Sequence, residues 1–178
     1  DTITLSDGTV ITYDYTKFVI DNNGVLKAAS WQATPGAYVY RTDLAEEILG
    51  AKTRDEMQAL VKDWDTFEKT AETAAAKGVA MADTLGGMWQ VYQYNRDTAW
   101  LDADNKLKVD DYCTKYTQFA ADLWNNGYVT KVSQWSDEWK PLGQTDDVMG
   151  FFVSTWGFGD TILTAAAGGE GGATYGKW

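Results

Sequence analysis

Short apolar runs and capped amphipathic helices take turns along this chain, and that interleaving limits the folds open to it. The clearest helix starts at a cap on Asp110 and runs to Gly127. Cys113, Tyr116, Phe119, Ala120, Leu123 and Trp124 recur along it at helical spacing, giving one apolar face. Gly127 suits the left-handed position that follows a helix. Thr53 with Glu56, and Asp65 with Glu68, form capping boxes that predict two earlier helices, the second reaching Gly78. Thr42 or Asp43 begins a short helix that stops at Gly50, and residues 85–95 carry another. Ser136 caps a turn that contains Trp139 and ends near Pro141. A last helix is predicted over 159–166, before the flexible glycine loop 168–172.

Strand signals fall between these helices. Residues 1–12 alternate around Asp7-Gly8, and Phe18–Ile20 and Val25–Ala28 flank Asn22-Asn23-Gly24, so two hairpins are predicted. Ala37–Tyr40, Val79–Met81, Leu107–Val109 and Val148–Val153 read as strands, and Thr174-Tyr175 as the start of one. Strands separated by helices predict an α/β fold, a mixed sheet flanked by helices. With 178 residues the chain is long enough for one domain with a proper core, and it shows no internal repeat. A chain ending just as a strand begins reads as cut from something longer.

Composition narrows the chemistry. The chain has no histidine, which removes Ser-His-Asp and Cys-His catalysis and the usual zinc sites. Its net charge of −11, with no basic stripe, disfavours nucleic acid and anionic lipid as partners. No apolar run approaches the roughly 18 residues of a membrane span. Cys113 stands alone, so no internal disulfide forms. Among the carboxylate pairs, Asp102-Ala103-Asp104-Asn105-Lys106 lacks the glycine and terminal glutamate of a calcium loop and reads as a polar turn. No catalytic residue, metal ligand or cofactor is expected.

Aromatic residues are the opposite extreme, with nine Trp and ten Tyr. Indoles favour places where one side is apolar and the other polar, and more of them than a core needs suggests a ligand surface. Trp31-Gln32, before the Pro35-Gly36 break, could stack on and hydrogen-bond a sugar, or simply pack against a hinge. Trp89 and Tyr92 lie near a helix start, on one side of it, as a sugar platform or as core with its cover. Trp156 follows a strand and precedes a helix, where ligands collect in open α/β folds, with Gly157 and Gly159 permitting close approach. Trp64, Trp100 and Trp124 read as structural, Trp139 as core and Trp135 as partly exposed.

Several segments resemble, in order, the extracellular solute-binding proteins of carbohydrate ABC importers, the broad family that includes maltose-binding protein. They include Ser30–Arg41, Asp63–Phe67, Gly87–Tyr92, Leu123–Tyr128, Gln134–Trp139 and Gly150–Gly157. The resemblance implies two α/β lobes joined by a hinge, with ligand between them, and places this chain mainly in the C-terminal lobe. Residues 1–40 would be hairpins and first crossover, 41–174 the lobe body, and 175–178 the approach to the return crossover. It implies a mono- or oligosaccharide ligand, ABC permease subunits as partners, no chemical step, and a place in the periplasm or on the cell surface as a lipoprotein. A signal region would lie outside these residues. Trp156 then matches a stacking aromatic, Trp89 lies on the cleft helix, Trp31 and Gln32 fall at the hinge, and Tyr92 and Arg96 are further candidates. A glycoside-active enzyme or carbohydrate-binding module, and an adhesion or scaffold domain, are the rival readings.

Overall fold

The computed structural model describes residues 2–12, 19–28 and 34–178. They fall into two compact units, Asp1–Thr34 and Pro35–Trp178. In the first, β1 (Thr2–Thr4) and β2 (Val10–Thr12) pair antiparallel as predicted. Asp7 organises the turn by accepting from the Thr9 N–H at 2.9 Å. The second predicted hairpin reduces to one bridge, Ile20 to Leu26. Asp21 closes its turn by accepting from the N–H groups of Asn23 and Val25 at 2.9 and 3.0 Å. Phe18, Trp31 and Gln32 lie outside the described residues.

The second unit opens with β3 (Gly36–Tyr40) and α1 (Thr42–Leu44), which passes into a π-helical turn, Ala45–Leu49. Then come α2 (Arg54–Leu60), α3 (Trp64–Ala75), α4 (Leu85–Tyr94) and α5 (Asp111–Asn125). A 3-10 segment, Lys140–Gln144, precedes β4 (Gly150–Ser154). Finally α6 (Thr155–Gly157) continues as the π-helical stretch Phe158–Ala166. The capping box at Thr53 and Glu56 is present, and Asp110 caps α5 through the Cys113 N–H at 3.0 Å.

β3 and β4 pair antiparallel, Gly36 opposite Ser154 and Tyr40 opposite Gly150. Beyond β4 the backbone of 80–83 runs parallel to 147–150: the Ala80 N–H donates to Asp147 O and the Met149 N–H to Ala80 O, both at 2.8 Å, and the Asp83 N–H donates to Gly150 O at 3.0 Å. On the far side Ala82 pairs parallel with Val129. The predicted α/β fold with a mixed sheet is therefore present, although Val79–Met81 contributes single bridges and not a full strand.

Successive residues of a strand point to opposite faces, so Phe151 and Phe152 of β4 enter two separate interiors. Met149 joins Met57, Phe67, Met81, Met88 and Leu123 on one face, with Phe152 packed against them. Val148 and Phe151 join Trp139, Ile162 and Ala166 on the other. Arg41, fully buried, braces the end of β3. It donates to both carboxylate oxygens of Asp43 at 2.7 and 2.8 Å, to Asp146 at 2.8 Å and to Thr145 O at 3.0 Å. Burial alone would raise the Asp43 carboxyl, but the hydrogen bonds and charge of Arg41 outweigh it and hold it at about 2.

Several local expectations are corrected. The cap of α3 is Asp63, accepting from the Thr66 N–H at 2.7 Å, and Asp65 sits inside the first turn, where its charge suits the helix dipole. Pro141 lies at the start of the 3-10 segment, where a missing N–H costs nothing, and does not end a helix. Leu107 bridges only to Leu101. Thr174-Tyr175 is turn, not strand: the Thr174 hydroxyl donates to Gly143 O at 2.7 Å and accepts from the Trp178 indole at 3.1 Å, which holds the chain folded back. Trp124 is 39% exposed. A step of about 100° from Leu123 turns it off the core-facing side of α5, and Lys131 Nζ lies 5.5 Å from its ring.

Asp83 is the unexpected interior residue. It is fully buried where 80–83 turns into α4. Its Oδ2 accepts from the Trp139 indole at 2.6 Å, and its Oδ1 makes no hydrogen bond among the described residues. Burial pushes its carboxyl up to about 6, against the pull of the Trp139 N–H. An aspartate in an unfolded chain titrates near 3.9. The folded state therefore holds this proton to higher pH. Stability from this group is complete below pH ~4 and is lost as pH rises through about 6, by on the order of 3 kcal/mol.

Two measurements follow. In Asp83→Asn the thermal midpoint relative to the parent should rise between pH 4 and 7 and then level off; a difference that does not vary with pH would remove the buried-carboxyl assignment. In Gly150→Ala, the added methyl would sit 2.5 Å from the Tyr38 ring and 2.6 Å from Val39 O. Urea unfolding should show a loss of about 1–3 kcal/mol, the usual cost of overpacking.

Candidate functional site

β4 delivers the chain to a turn of helix, and Trp156 stands in that turn, 47% exposed. Its ring is stacked on that of Trp135, with centroids 5.8 Å apart and planes 15° from parallel. Trp135 is 55% exposed and has φ +71°, a left-handed backbone that a bulky L-residue avoids. Such a conformation persists only where surrounding structure enforces it, and it gathers at functional sites. Here it turns the indole toward Trp156. Against Trp135 lies the buried Trp139, its ring 4.7 Å away at 59°. The result is a ledge of two exposed, nearly parallel indoles, one of which rests on a buried indole floor.

The first turn of α4 adjoins this ledge. Thr84 caps the helix, its hydroxyl accepting from the Gly87 N–H at 3.3 Å. Gly86 packs so closely on the Gln134 side chain that a methyl there would meet Oε1 at 2.8 Å. Gly87 lies against Phe152 O of β4, where a methyl would come within 3.1 Å. A methyl at Gly86 would displace the end of the Gln134 side chain, and one at Gly87 would crowd the backbone of β4.

Trp89, one turn further along α4, belongs to a second aromatic group and is 38% exposed. Its ring lies 5.2 Å from Tyr92, 5.8 Å from Tyr116 and 6.0 Å from Trp100. Tyr92 is buried, stacked between Tyr112 and Tyr116 at 4.6 and 4.0 Å. Burial pushes the Tyr116 phenol up to about 12. The Arg96 side chain is also enclosed and committed within the chain. It donates to Thr98 O, Lys108 O and Asp110 at 2.7, 3.0 and 3.0 Å, and its guanidinium covers the Trp100 ring at 4.1 Å. The Cys113 N–H, assisted by Arg96, keeps the Asp110 carboxyl at about 2. Tyr92 and Arg96 thus lie beneath exposed indoles, and Trp89 and Trp100 form the surface above them. Asp102 closes the neighbouring turn by accepting from the N–H groups of Asp104 and Lys106, both at 2.9 Å, with Asn105 at φ +60°.

Of the predicted site residues, Trp89, Tyr92 and Arg96 therefore converge on one cluster, and Trp156 stands in another. Sequence reasoning passed over Trp135, because a left-handed backbone at a tryptophan leaves no mark in the sequence. It also passed over Asp83 and took Trp100 as structural. A lone carboxylate closing the apolar run Val79–Ala82 was the available signal for Asp83, and an arginine four residues before an indole was the signal for Trp100. Two surface hollows lie elsewhere. One, of about 370 Å³, is lined by Asp65, Glu68, Lys69, Glu72 and Tyr128. The other, of about 270 Å³, lies over Tyr38, Trp64 and Phe152.

No protein-family model matches the chain, and no curated protein matches it. Solved structures do. One is an extracellular solute-binding protein of family 1, with a TM-score of 0.75 and 20% identity over 85% of this chain and 39% of that one. Another is the galacto-N-biose-/lacto-N-biose I-binding protein of the ABC transporter from Bifidobacterium longum, in complex with lacto-N-biose, with a TM-score of 0.57 and 18% identity over 76% of this chain and 33% of that one. The chain spans between a third and two-fifths of the length of these two proteins. What is shared is architecture: this chain folds as part of an extracellular solute-binding protein does.

Proposed function

We propose that this chain is part of an extracytoplasmic receptor that binds a mono- or oligosaccharide for an ABC importer and carries out no chemical step. In this reading residues 41–174 are the body of the C-terminal lobe, and 175–178 lead toward the return crossover. A longer protein completes the ligand cleft, closes by hinge motion and docks on the permease subunits, in the periplasm or tethered at the cell surface. The observation that carries the reading is the Trp135–Trp156 ledge: two parallel indoles, each about half exposed, where a strand ends and a helix begins. A flat apolar face with an N–H at its edge suits the C–H face and hydroxyl rim of a pyranose. The likeness in fold to a structure holding lacto-N-biose supports the ligand class.

Within this reading Trp156 and Trp135 contact sugar, and Trp89 with Trp100 offers a second surface. Tyr92 and Arg96 act by holding that second surface in place. Trp31 and Gln32 remain candidates at the hinge.

A calorimetric screen of the intact protein against lacto-N-biose, maltotriose and common monosaccharides tests the proposal. At least one sugar should bind, and Trp156→Ala should weaken it about tenfold or more, near 1.4 kcal/mol. Absence of binding to every sugar, or equal affinity in the variant, would overturn the assignment.

A further inference from the structure

Asp83 is remote from solvent, yet its contacts reach the start of β4, the cap of α4 and Trp139. Its backbone N–H donates to Gly150 O at the start of β4. Its backbone carbonyl accepts from the Thr130 hydroxyl. It adjoins Thr84, the cap of α4, and its Oδ1 lies against Gly87 in the first turn. Its Oδ2 takes the indole N–H of Trp139, the floor on which Trp135 rests, and Trp135 in turn stacks on Trp156.

An isolated buried carboxylate is costly. Trp139 would fill the same volume without its N–H being held, so packing alone does not account for the pairing. What the hydrogen bond adds is direction. An indole can rotate about two side-chain torsions, and one N–H bond to a fixed acceptor selects a single plane for the ring. The plane of Trp139 then sets where Trp135, held at a left-handed backbone, can lie.

The geometry points to Asp83 as the positioning residue of the aromatic ledge: through its hydrogen bond to Trp139 it holds Trp135 parallel to Trp156, in the arrangement that presents both indoles. The inference concerns the site proposed above, and its use in sugar binding rests on that proposal; the positioning itself does not.

Ionisation of Asp83 strengthens the hold, because an N–H bond to a carboxylate is stronger than one to a neutral carboxyl. The titratable group facing it is the Tyr38 phenol of β3, which burial and the Asp83 charge keep protonated far into the alkaline range. Trp139, Thr130, Gly87 and Phe152, the other neighbours, bring no ionisable group.

The test reads the ledge first without ligand. Two stacked indoles couple their ultraviolet transitions, so circular dichroism of the intact protein should contain a couplet that Trp156→Phe removes; the difference made by Trp156→Phe, taken in the parent and in each variant background, isolates it from the Trp135–Trp139 and Trp89–Trp100 pairs. Asp83→Ala and Trp139→Phe should reduce that couplet by more than half while the far-ultraviolet helix signal persists. Asp83→Asn, which keeps an acceptor, should retain it. In the parent the couplet should grow as pH rises through about 6, and in Asp83→Asn it should not change over that range. A couplet left intact in both Asp83→Ala and Trp139→Phe, or an Asn variant no better than Ala, overturns the inference.

Affinity for the sugar found in the calorimetric screen is the second reading. Asp83→Ala and Trp139→Phe should raise its Kd about tenfold and Asp83→Asn less than threefold; unchanged Kd in all three would separate the ledge from binding. Loss of the couplet with no sugar bound would instead sustain the positioning role and reject the carbohydrate proposal.

Discussion

The second unit depends on one short stretch of backbone pairing, where residues 80–83 lie between 147–150 on one side and 128–130 on the other. Few hydrogen bonds make it, and those of Met81, Ala82, Asp83, Met149 and Gly150 involve buried residues, where an unmade bond would leave a polar group unsatisfied. The pairing sets the register of β4, and the register decides which residues face which core. A slip of one residue would exchange the two faces, sending Phe151 toward the methionine-rich side and Phe152 toward Trp139. Both interiors and the ledge at the end of β4 are therefore hung on the same few bonds.

Aromatic residues serve two tasks in this molecule, and burial tells them apart. Trp139, Tyr92, Phe67 and Phe151 are enclosed and fill volume, each in contact with further rings. Trp135 and Trp89 rest on enclosed rings, and Trp156 and Trp100 lie beside them, all four with a large share of their own surface in water. An exposed indole on a flexible support would lose rotamer entropy on meeting a ligand. Here Trp135 and Trp89 already lie against buried rings, Trp156 against Trp135, and Trp100 against Trp89 and the Arg96 guanidinium, so much of that ordering is complete in the folded chain. The polar anchors, Asp83 under one group and Arg96 under the other, fix planes that packing alone leaves free to turn.

Local signals carried much of the architecture. The capping box at Thr53, the cap at Asp110 and the Asp7-Gly8 turn involve groups a few residues apart, so their chemistry can be read along the chain. Where reading failed, a competing partner lay close by or far away. Asp63 outcompeted Asp65 for the N–H groups of α3 from two residues upstream. Thr174 found Gly143 and Trp178, and a strand signal became a turn. Trp124 satisfied the helical period yet ended exposed, because the period states which residues share a side and not how wide the buried stripe is.

Strands alternating with helices, an absence of histidine, an acidic balance and a surplus of indoles are properties of the sequence alone. They determined an α/β chain, and they singled out Trp89 and Trp156 as candidate contacts. Tertiary structure decided the partners. Trp135 reaches Trp156 across 21 positions of sequence, Asp83 reaches Trp139 across 56, and Trp135 does so through a left-handed backbone that no local rule foretells. Spacing reports neighbours within one helix or strand, whereas these contacts arise where separate elements meet, and only packing of the whole unit selects them.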